Sequence, residues 1–139
     1  MTKKFRYDHY CFACGEQNPA GLKLKFTQEG DKISTIFCPP KIYEGYPGVL
    51  HGGIISTVFD EVMSQCLWVL EEPAFTARLE IRFRRNIPVL RPVKFEAHIV
   101  KRKGPLVDLE AQALLEDGQL AAEAKGRFML LKDSKTNNL

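Results

Sequence analysis

Hydrophobic and polar residues alternate with a period of two along most of the chain, a pattern typical of half-buried β-strands. The alternation first appears in residues 22–27. After a turn at Gly30-Asp31, residues 32–38 are expected to return as the second strand of a hairpin. Residues 39–50 break the pattern with three prolines and two glycines, which predicts a loop.

The period changes to a helical one in residues 52–70, where apolar residues recur at three- and four-residue steps. Further apolar residues widen this stripe until little polar surface remains, so the helix is expected to be more deeply buried than a surface helix. Pro73 is expected to end it. The residues of the stripe are Ile55, Val58, Phe59, Val62, Cys66 and Val69.

Two-residue alternation returns after Pro73 and continues almost to the end of the chain. Two turns, at Lys103-Gly104-Pro105 and at Asp117-Gly118, divide the later part, and the second is a strong hairpin signal. Four strands are therefore expected, at residues 77–83, 93–99, 107–113 and about 120–131, with Pro88 and Pro92 between the first two.

One nearly all-apolar helix among amphipathic strands predicts an α+β fold, with an antiparallel sheet of about five to six strands curled around one long central helix. Such a sheet keeps an exposed edge, which favours dimerisation. The chain shows no repeat and no linker, so residues 1–139 are expected to form a single domain. Residues 1–10 and 132–139 are expected to be loosely ordered ends.

Composition narrows the classes of function. With 45% hydrophobic and 27% charged residues, the chain is typical of a soluble globular protein. It has no apolar run of the roughly 20 residues that cross a membrane and no signal-peptide core, so we expect no membrane contact and a cytoplasmic location. A net charge of +3 is too small to indicate nucleic-acid binding.

The four cysteines include a CxxC pair, Cys11 and Cys14, with His9 two residues upstream. A disulfide framework is unexpected in a reducing cytosol. Zinc requires four ligands, and Cys38 and Cys66 are isolated, so no second cysteine or histidine pair completes a set. We therefore predict no metal site and no cofactor.

A motif of known type lies at the start of the predicted helix. The string Pro47-Gly48-Val49-Leu50-His51-Gly52-Gly53, followed by Asp60-Glu61, resembles the signature of PaaI-type hotdog-fold acyl-CoA thioesterases. Residues 76–88 resemble the strand after the helix in that family, and the CxxC with Asn18-Pro19 resembles an N-terminal signature of one branch. The resemblance implies a hotdog fold, hydrolysis of an acyl-CoA thioester, and a homodimer or a tetramer of two dimers.

Thioester hydrolysis needs an activated water and a donor aimed at the oxygen that becomes negative. The resemblance implies that the Gly52 amide is this donor and that Asp60 activates water or attacks the carbonyl itself. It also implies that His51 orients the loop or binds near the thioester, and that Thr76 assists beside the carboxylate. Strict alternation places Thr76 on the side of Arg78, so Thr76 needs a bulge or a strand start to reach the site.

The predicted substrate contacts include a basic pair that would suit the phosphates of coenzyme A, although such pairs are also common on solvated strand edges. Glu61 is expected on the side of Gln65, with access to water. Several relatives have Asn or Gln about six residues before the histidine, where this chain has Glu44-Gly45, which leaves a second oxyanion donor open. The predicted substrate-binding residues are Gly53, Glu61, Arg84 and Arg85.

Helix geometry adds a constraint of its own. A helix rises about 12 Å from Gly52 to Asp60, much more than the roughly 3 Å separations that a reacting centre requires. Two antiparallel helices in a dimer could bring the two groups together. Plainer explanations remain open, namely a carboxylate on a minor polar face, a histidine that merely caps the helix, and a permissive glycine turn. Alternative functions are a hotdog hydratase or dehydratase, and a non-catalytic acyl-CoA-binding or zinc protein.

Overall fold

A computed structural model describes residues 7–131 of the chain. Most of the two predicted loose ends, residues 1–6 and 132–139, lies outside the described residues. Within the described part, Tyr7 is half-buried, and its ring centroid lies 6.0 Å from that of Trp68. The N-terminal segment therefore packs on the rest of the domain from Tyr7 onward.

The domain is a six-stranded antiparallel sheet with one long helix, as the alternation and the apolar helix predict. The order of strands across the sheet is β1-β2-β4-β5-β6-β3, and every neighbouring pair is antiparallel. The elements are β1 (Thr27–Glu29), β2 (Lys32–Phe37), a 3-10 turn (Lys41–Tyr43), α1 (Gly52–Trp68), β3 (Ala74–Phe83), β4 (Val93–Lys103), β5 (Leu106–Leu115) and β6 (Leu120–Leu130).

Helix α1 contacts five of the six strands, β2 to β6, and its apolar face fills the concave side of the sheet. Phe59 of the helix meets Phe95 of β4 edge-on, with ring centroids 5.0 Å apart. Burying side chains of this size contributes about 1.5–3 kcal/mol each. At Gly126 of β6 an added Cβ would lie 2.9 Å from Met63 Sδ, so this glycine allows the helix to approach the sheet closely.

The hotdog architecture predicted from the sequence is confirmed, together with its turns. The β1–β2 hairpin turns at Gly30, where φ is +64°, and the β5–β6 hairpin turns at Gly118, where φ is +88°. Both values lie in the left-handed region that favours glycine.

The first predicted strand begins later than expected. Leu22 and Leu24 are buried, but the ladder starts only at Thr27. The reason is that Leu22 N and Leu24 N donate to the carbonyls of Phe12 and Ala13, at 2.9 and 3.0 Å. The residues before Thr27 therefore pair with the N-terminal segment instead of joining the hairpin.

The helix ends at Trp68, two residues before the predicted end and well before Pro73. Glu71 adopts φ +57°, and the amides of Glu71 and Glu72 bond back to the carbonyls of Trp68 and Leu67. This is a left-handed helix termination, which satisfies the last carbonyls without a proline.

Strand β3 forms one edge of the sheet, because it pairs only with β6. It is ten residues long and mostly exposed, and its large apolar side chains Phe75 and Phe83 are 49% and 54% exposed. A long edge strand with exposed apolar residues is a surface that proteins usually cover. In residues 7–131 no helix has the length and apolar character needed to cross a membrane.

Candidate active site

The carboxylate of Asp60 and the hydroxyl of Thr76 meet at the second half of α1. Thr76 Oγ1 donates a hydrogen bond to Asp60 Oδ1 at 2.5 Å. The pairing of β3 with β6 shifts between Thr76 and Arg78, which leaves Ala77 without a residue opposite it. Thr76 needed a departure from strict alternation to reach the site, and this β-bulge is that departure. It turns Thr76 toward the helix. Asp60 is half-buried and Thr76 is exposed.

The other end of the helix begins at the histidine and glycines of the motif. His51 is the N-cap, and its Nδ1 accepts a hydrogen bond from the Gly53 amide at 2.8 Å. The His51 carbonyl accepts from the amides of Ile54 and Ile55. Because Nδ1 is the acceptor, the proton of the neutral imidazole lies on Nε2, which remains an available donor.

These caps leave one amide of the first turn unused. Within residues 7–131 the Gly52 N–H has no hydrogen-bond partner, whereas the Gly53 N–H is occupied by His51. A free amide at a helix N-terminus lies at the positive end of the helix dipole, and it therefore favours a negatively charged ligand. Of the two glycines, Gly52 is thus the one that can donate to an oxyanion, and Gly53 instead fixes the orientation of the histidine.

A cleft of about 750 Å³ opens in front of this amide. Its walls include His51, Gly52, Phe83, Arg84 and Arg85. The basic pair predicted to bind substrate therefore lies beside the predicted oxyanion donor. Asp60 and Thr76 do not line this cleft.

The two arginines of the cleft differ. Arg84 forms an ion pair with Glu123. Arg85 is exposed and forms no ion pair within the described part of the chain, so its guanidinium can donate hydrogen bonds to a phosphate or carboxylate ligand. The backbone amides of both residues donate to the Ala121 carbonyl, at 2.8 and 3.0 Å, which fixes this end of the β3 extension.

Glu44, one of the two residues about six positions before the histidine, holds the loop that precedes the helix. Its carboxylate accepts from Lys41 Nζ and from the Gly48 amide, both at 2.8 Å. The hydrogen bond from Lys41 is the main cause that lowers the pKa of Glu44 below its ordinary value. An ionised carboxylate only accepts hydrogen bonds, so Glu44 supplies no second oxyanion donor.

Glu61 occupies a place that the sequence did not indicate. It lies beside Gln65, whose Nε2 donates to Glu61 Oε2 at 3.2 Å, and it is half-buried at the wall of a second cleft, in keeping with the expected access to water. The N-terminal segment covers part of it, and Cys11 Sγ lies 3.8 Å from Glu61 Oε1. Burial is the main cause that raises the pKa of the Glu61 carboxyl above its ordinary value. Glu61 does not line the cleft beside Gly52.

The two cysteines beside Glu61 also have perturbed pKa values. Hydrogen bonds from Cys14, and then from backbone amides, lower the pKa of the Cys11 thiol to about 5. The same interaction with Cys11 and burial raise the pKa of Cys14. This cluster was missed because no sequence spacing connects Glu61 with residues about fifty positions earlier.

The predicted site residues thus form two groups on one helix. His51, Gly52, Arg84 and Arg85 meet at its N-terminal end, and Asp60 and Thr76 meet about two turns further along. One group can stabilise a negative charge, and the other carries a carboxylate that can accept a proton or attack a carbonyl. Within one chain the two groups do not share a cleft.

A family model described as the thioesterase superfamily matches residues 47–122, more than half of the chain. The chain therefore belongs to the thioesterase superfamily.

Two curated relatives are similar over most of the chain. Acyl-coenzyme A thioesterase THEM4 of Bos taurus is 26% identical over 129 residues, covering 91% of this chain and 53% of the relative. Acyl-coenzyme A thioesterase THEM5 of Homo sapiens is 32% identical over 109 residues, covering 77% of this chain and 44% of the relative. The chain spans about half the length of these relatives.

Solved structures share the fold at low sequence identity. A thioesterase superfamily protein superposes with a TM-score of 0.82 at 20% identity, over 87% of this chain and 60% of the other. The protein smu.793 of Streptococcus mutans, solved bound to acetyl CoA, gives a TM-score of 0.73 at 14% identity, over 79% of this chain and 90% of the other. The zebrafish thioesterase superfamily member 2 also gives 0.73, at 15% identity, over 82% of this chain and 89% of the other.

Proposed function

We propose that this chain hydrolyses an acyl-CoA thioester to a free acid and coenzyme A, at a site built by two copies of the chain. The observation that carries the proposal is the division of the site along α1. A free amide and a donor imidazole lie at one end, and a carboxylate with its hydroxyl partner lies about 12 Å away at Asp60.

Each group has a defined task in this reaction. The Gly52 amide donates to the carbonyl oxygen of the thioester as it becomes negative. Asp60 takes a proton from the attacking water, or attacks the carbonyl carbon itself to form an anhydride that water then hydrolyses to the free acid. Thr76 holds the carboxylate in one orientation. The sulfur of coenzyme A leaves as a thiolate and takes a proton from solvent.

The remaining residues of the cleft suit the rest of the substrate. His51 is exposed and lines the cleft, and its Nε2–H is a donor that can support the thioester oxygen. Arg85 lines the same cleft and forms no ion pair among residues 7–131, so its guanidinium suits a phosphate of coenzyme A. The relatives named as acyl-coenzyme A thioesterases and the neighbour bound to acetyl CoA support this choice of substrate.

A second chain would also cover the exposed edge of the sheet. Phe75 and Phe83 project from β3, and pairing of two such edges in a homodimer would bury them. Phe83 also lies near Gly52, 3.9 Å from an ideal Cβ there, so the edge strand and the oxyanion end are adjacent. Dimerisation through the edge strands would therefore bring Gly52 of one chain and Asp60 of the other into one assembly.

Release of free coenzyme A, followed with a thiol reagent, tests the proposed reaction directly. The purified chain should cleave at least one of a panel of short, long and aromatic acyl-CoAs well above the rate of the Asp60→Asn variant. A chain that binds these acyl-CoAs in calorimetry without releasing thiol would be a binding module instead, and the proposal of hydrolysis would be wrong.

A further inference from the structure

Three potential metal ligands meet away from the proposed active site, beneath the N-terminal segment. One donor atom each from Cys11, Cys14 and Glu61 lies within 4.8 Å of the others. Cys11 Sγ is 3.8 Å from Glu61 Oε1. All three residues are half-buried, whereas His9, two residues before the CxxC, is exposed and does not belong to this cluster.

The backbone is built to bring the two cysteines together. The Gly15 amide donates to the Cys11 carbonyl at 2.8 Å, which closes a tight turn around the CxxC. An added Cβ at Gly15 would lie 2.3 Å from the Cys11 nitrogen, so only glycine fits here. Leu22 and Leu24 then bind the carbonyls of the turn and anchor it to the core.

The cluster holds acidic groups without a basic partner. Two thiols and a carboxylate face one another, and in residues 7–131 no lysine, arginine or histidine forms an ion pair with Glu61. An ionised, half-buried carboxylate beside thiolate sulfur is costly unless a positive charge balances it, and burial raises the pKa of Glu61 accordingly. A divalent cation would balance all three groups at once.

We propose that Cys11, Cys14 and Glu61 bind one thiophilic divalent cation per chain, with zinc as the best fit. Two thiolates and one carboxylate match the ligands that zinc prefers, and water takes the fourth position because the cluster is only half-buried. Cys14 must lose its thiol proton to bind the cation, and this proton is released to solvent. The Tyr7 hydroxyl, 3.5 Å from Cys14 Sγ, then donates to that thiolate.

This site revises the expectation of no metal, which rested on an incomplete ligand set. Glu61 supplies the third ligand. The cation would fasten the N-terminal segment to α1 at Glu61, the residue after Asp60 but on a different face of the helix. The inference does not rest on the proposed thioesterase activity, because metal content can be measured in an inactive protein.

Metal content and affinity test the site in the full chain. Protein purified without chelator should contain about one zinc per chain by elemental analysis. The metal-free, reduced protein should bind added zinc in competition with a chromophoric chelator, and bound cobalt should show thiolate charge-transfer and tetrahedral absorption bands. Cys14→Ser and Glu61→Gln should each weaken zinc binding more than about 100-fold, beyond the 10- to 100-fold typical of changes outside the ligand shell.

Cys38→Ser is the matched control, because Cys38 is exposed and outside the cluster, and it should bind zinc like the wild type. The proposal fails if the reduced wild type binds zinc no more tightly than a Cys11→Ser/Cys14→Ser double variant. It also fails if Glu61→Gln binds zinc normally. A Cys11–Cys14 disulfide in the intact mass, with no zinc uptake after reduction, would assign the pair to redox chemistry instead.

Discussion

Asp60 and Glu61 are adjacent on α1, yet they lie in opposite surroundings. Asp60 faces the edge strand β3 and accepts a hydrogen bond from the Thr76 hydroxyl. Glu61 faces the N-terminal segment and lies among cysteine thiols. Successive residues of a helix point about 100° apart, so one step along the chain moves a carboxylate from the proposed catalytic face to a covered face.

This difference shows that burial of a carboxylate does not by itself indicate a catalytic role. Burial raises the pKa of Glu61, which by itself would mark it as a candidate general base. Its hydrogen-bond partners in residues 7–131 are the Cys11 thiol and the Gln65 side-chain amide, and the cleft that it lines is not the one beside Gly52. Asp60 has the hydroxyl partner and an edge that a second chain can complete. The partners of a carboxylate therefore distinguish the two roles better than its burial does.

The largest effect is expected at Asp60. Replacement by asparagine keeps the shape of the side chain and removes the base or nucleophile, so kcat should fall by about 10² to 10⁴. Glu61→Gln, one position away, is the matched comparison and should lose less than about tenfold. Steady-state hydrolysis of the best acyl-CoA measures both. If both variants keep their fold by circular dichroism and lose kcat equally, the assignment of different roles to the two carboxylates would be wrong.

At Gly52, the proposed oxyanion donor, one substitution can remove the amide N–H without disturbing the helix. Gly52 is the first residue of α1, a position that tolerates proline, and His51 already has the extended φ and ψ that precede proline. Gly52→Pro should thus preserve the helix while it removes the free N–H, and kcat should fall by about 10² to 10³.

Gly52→Ala is the control for that variant. An alanine Cβ would lie 3.9 Å from Phe83, which is an ordinary contact, and the amide is retained. We expect a much smaller loss of kcat in Gly52→Ala than in Gly52→Pro. Similar losses in both would mean that the space around Gly52 matters and that its amide does not.

Thr76 should contribute less than either end. Thr76→Val removes the hydroxyl that bonds Asp60, and a lost hydrogen bond to a charged group costs about 1.5–3 kcal/mol, or roughly 10- to 100-fold in kcat. Thr76→Ser keeps the hydroxyl and should retain most of the activity. A valine variant with wild-type kcat would show that Asp60 is oriented by other groups.

The smallest effect is expected at Arg85 and should appear in KM. Loss of one exposed charged contact to a phosphate should raise KM for acyl-CoA about tenfold, with little change in kcat. Arg82→Ala, on the same stretch but outside the cleft beside Gly52, should leave KM unchanged. With an acyl-pantetheine, a substrate that lacks the phosphates, the wild type and Arg85→Ala should have the same KM.

Much of this molecule follows from its sequence pattern. The strands after Pro73 and the apolar helix appear where alternation and three- and four-residue steps place them, because burial of one face is a local property of the pattern. The motif at His51 and Gly52 also lies at the helix start, as expected. Even the bulge at Thr76 was anticipated as a condition for its approach to Asp60.

The differences come from contacts between distant segments. Residues 22–26 alternate like a strand, but the N-terminal turn takes the amides of Leu22 and Leu24. Glu61 meets Cys11 only because that same segment crosses the helix. The roles of Gly52 and Gly53 differ through a hydrogen bond from Gly53 to the His51 side chain, which no spacing reveals. Periodicity describes which face is buried and leaves open what covers it.

The central claim is that two chains build each site, and a defined heterodimer tests it most directly. Asp60→Asn and Gly52→Pro chains, carrying different affinity tags, are co-expressed, and the mixed dimer is isolated through both tags. Each homodimer should be nearly inactive. In the heterodimer one site carries both defects and the other carries neither, so it should recover about half of the wild-type activity per dimer. A pure, dimeric heterodimer as inactive as its parents would show that each chain holds a complete site and would contradict the account.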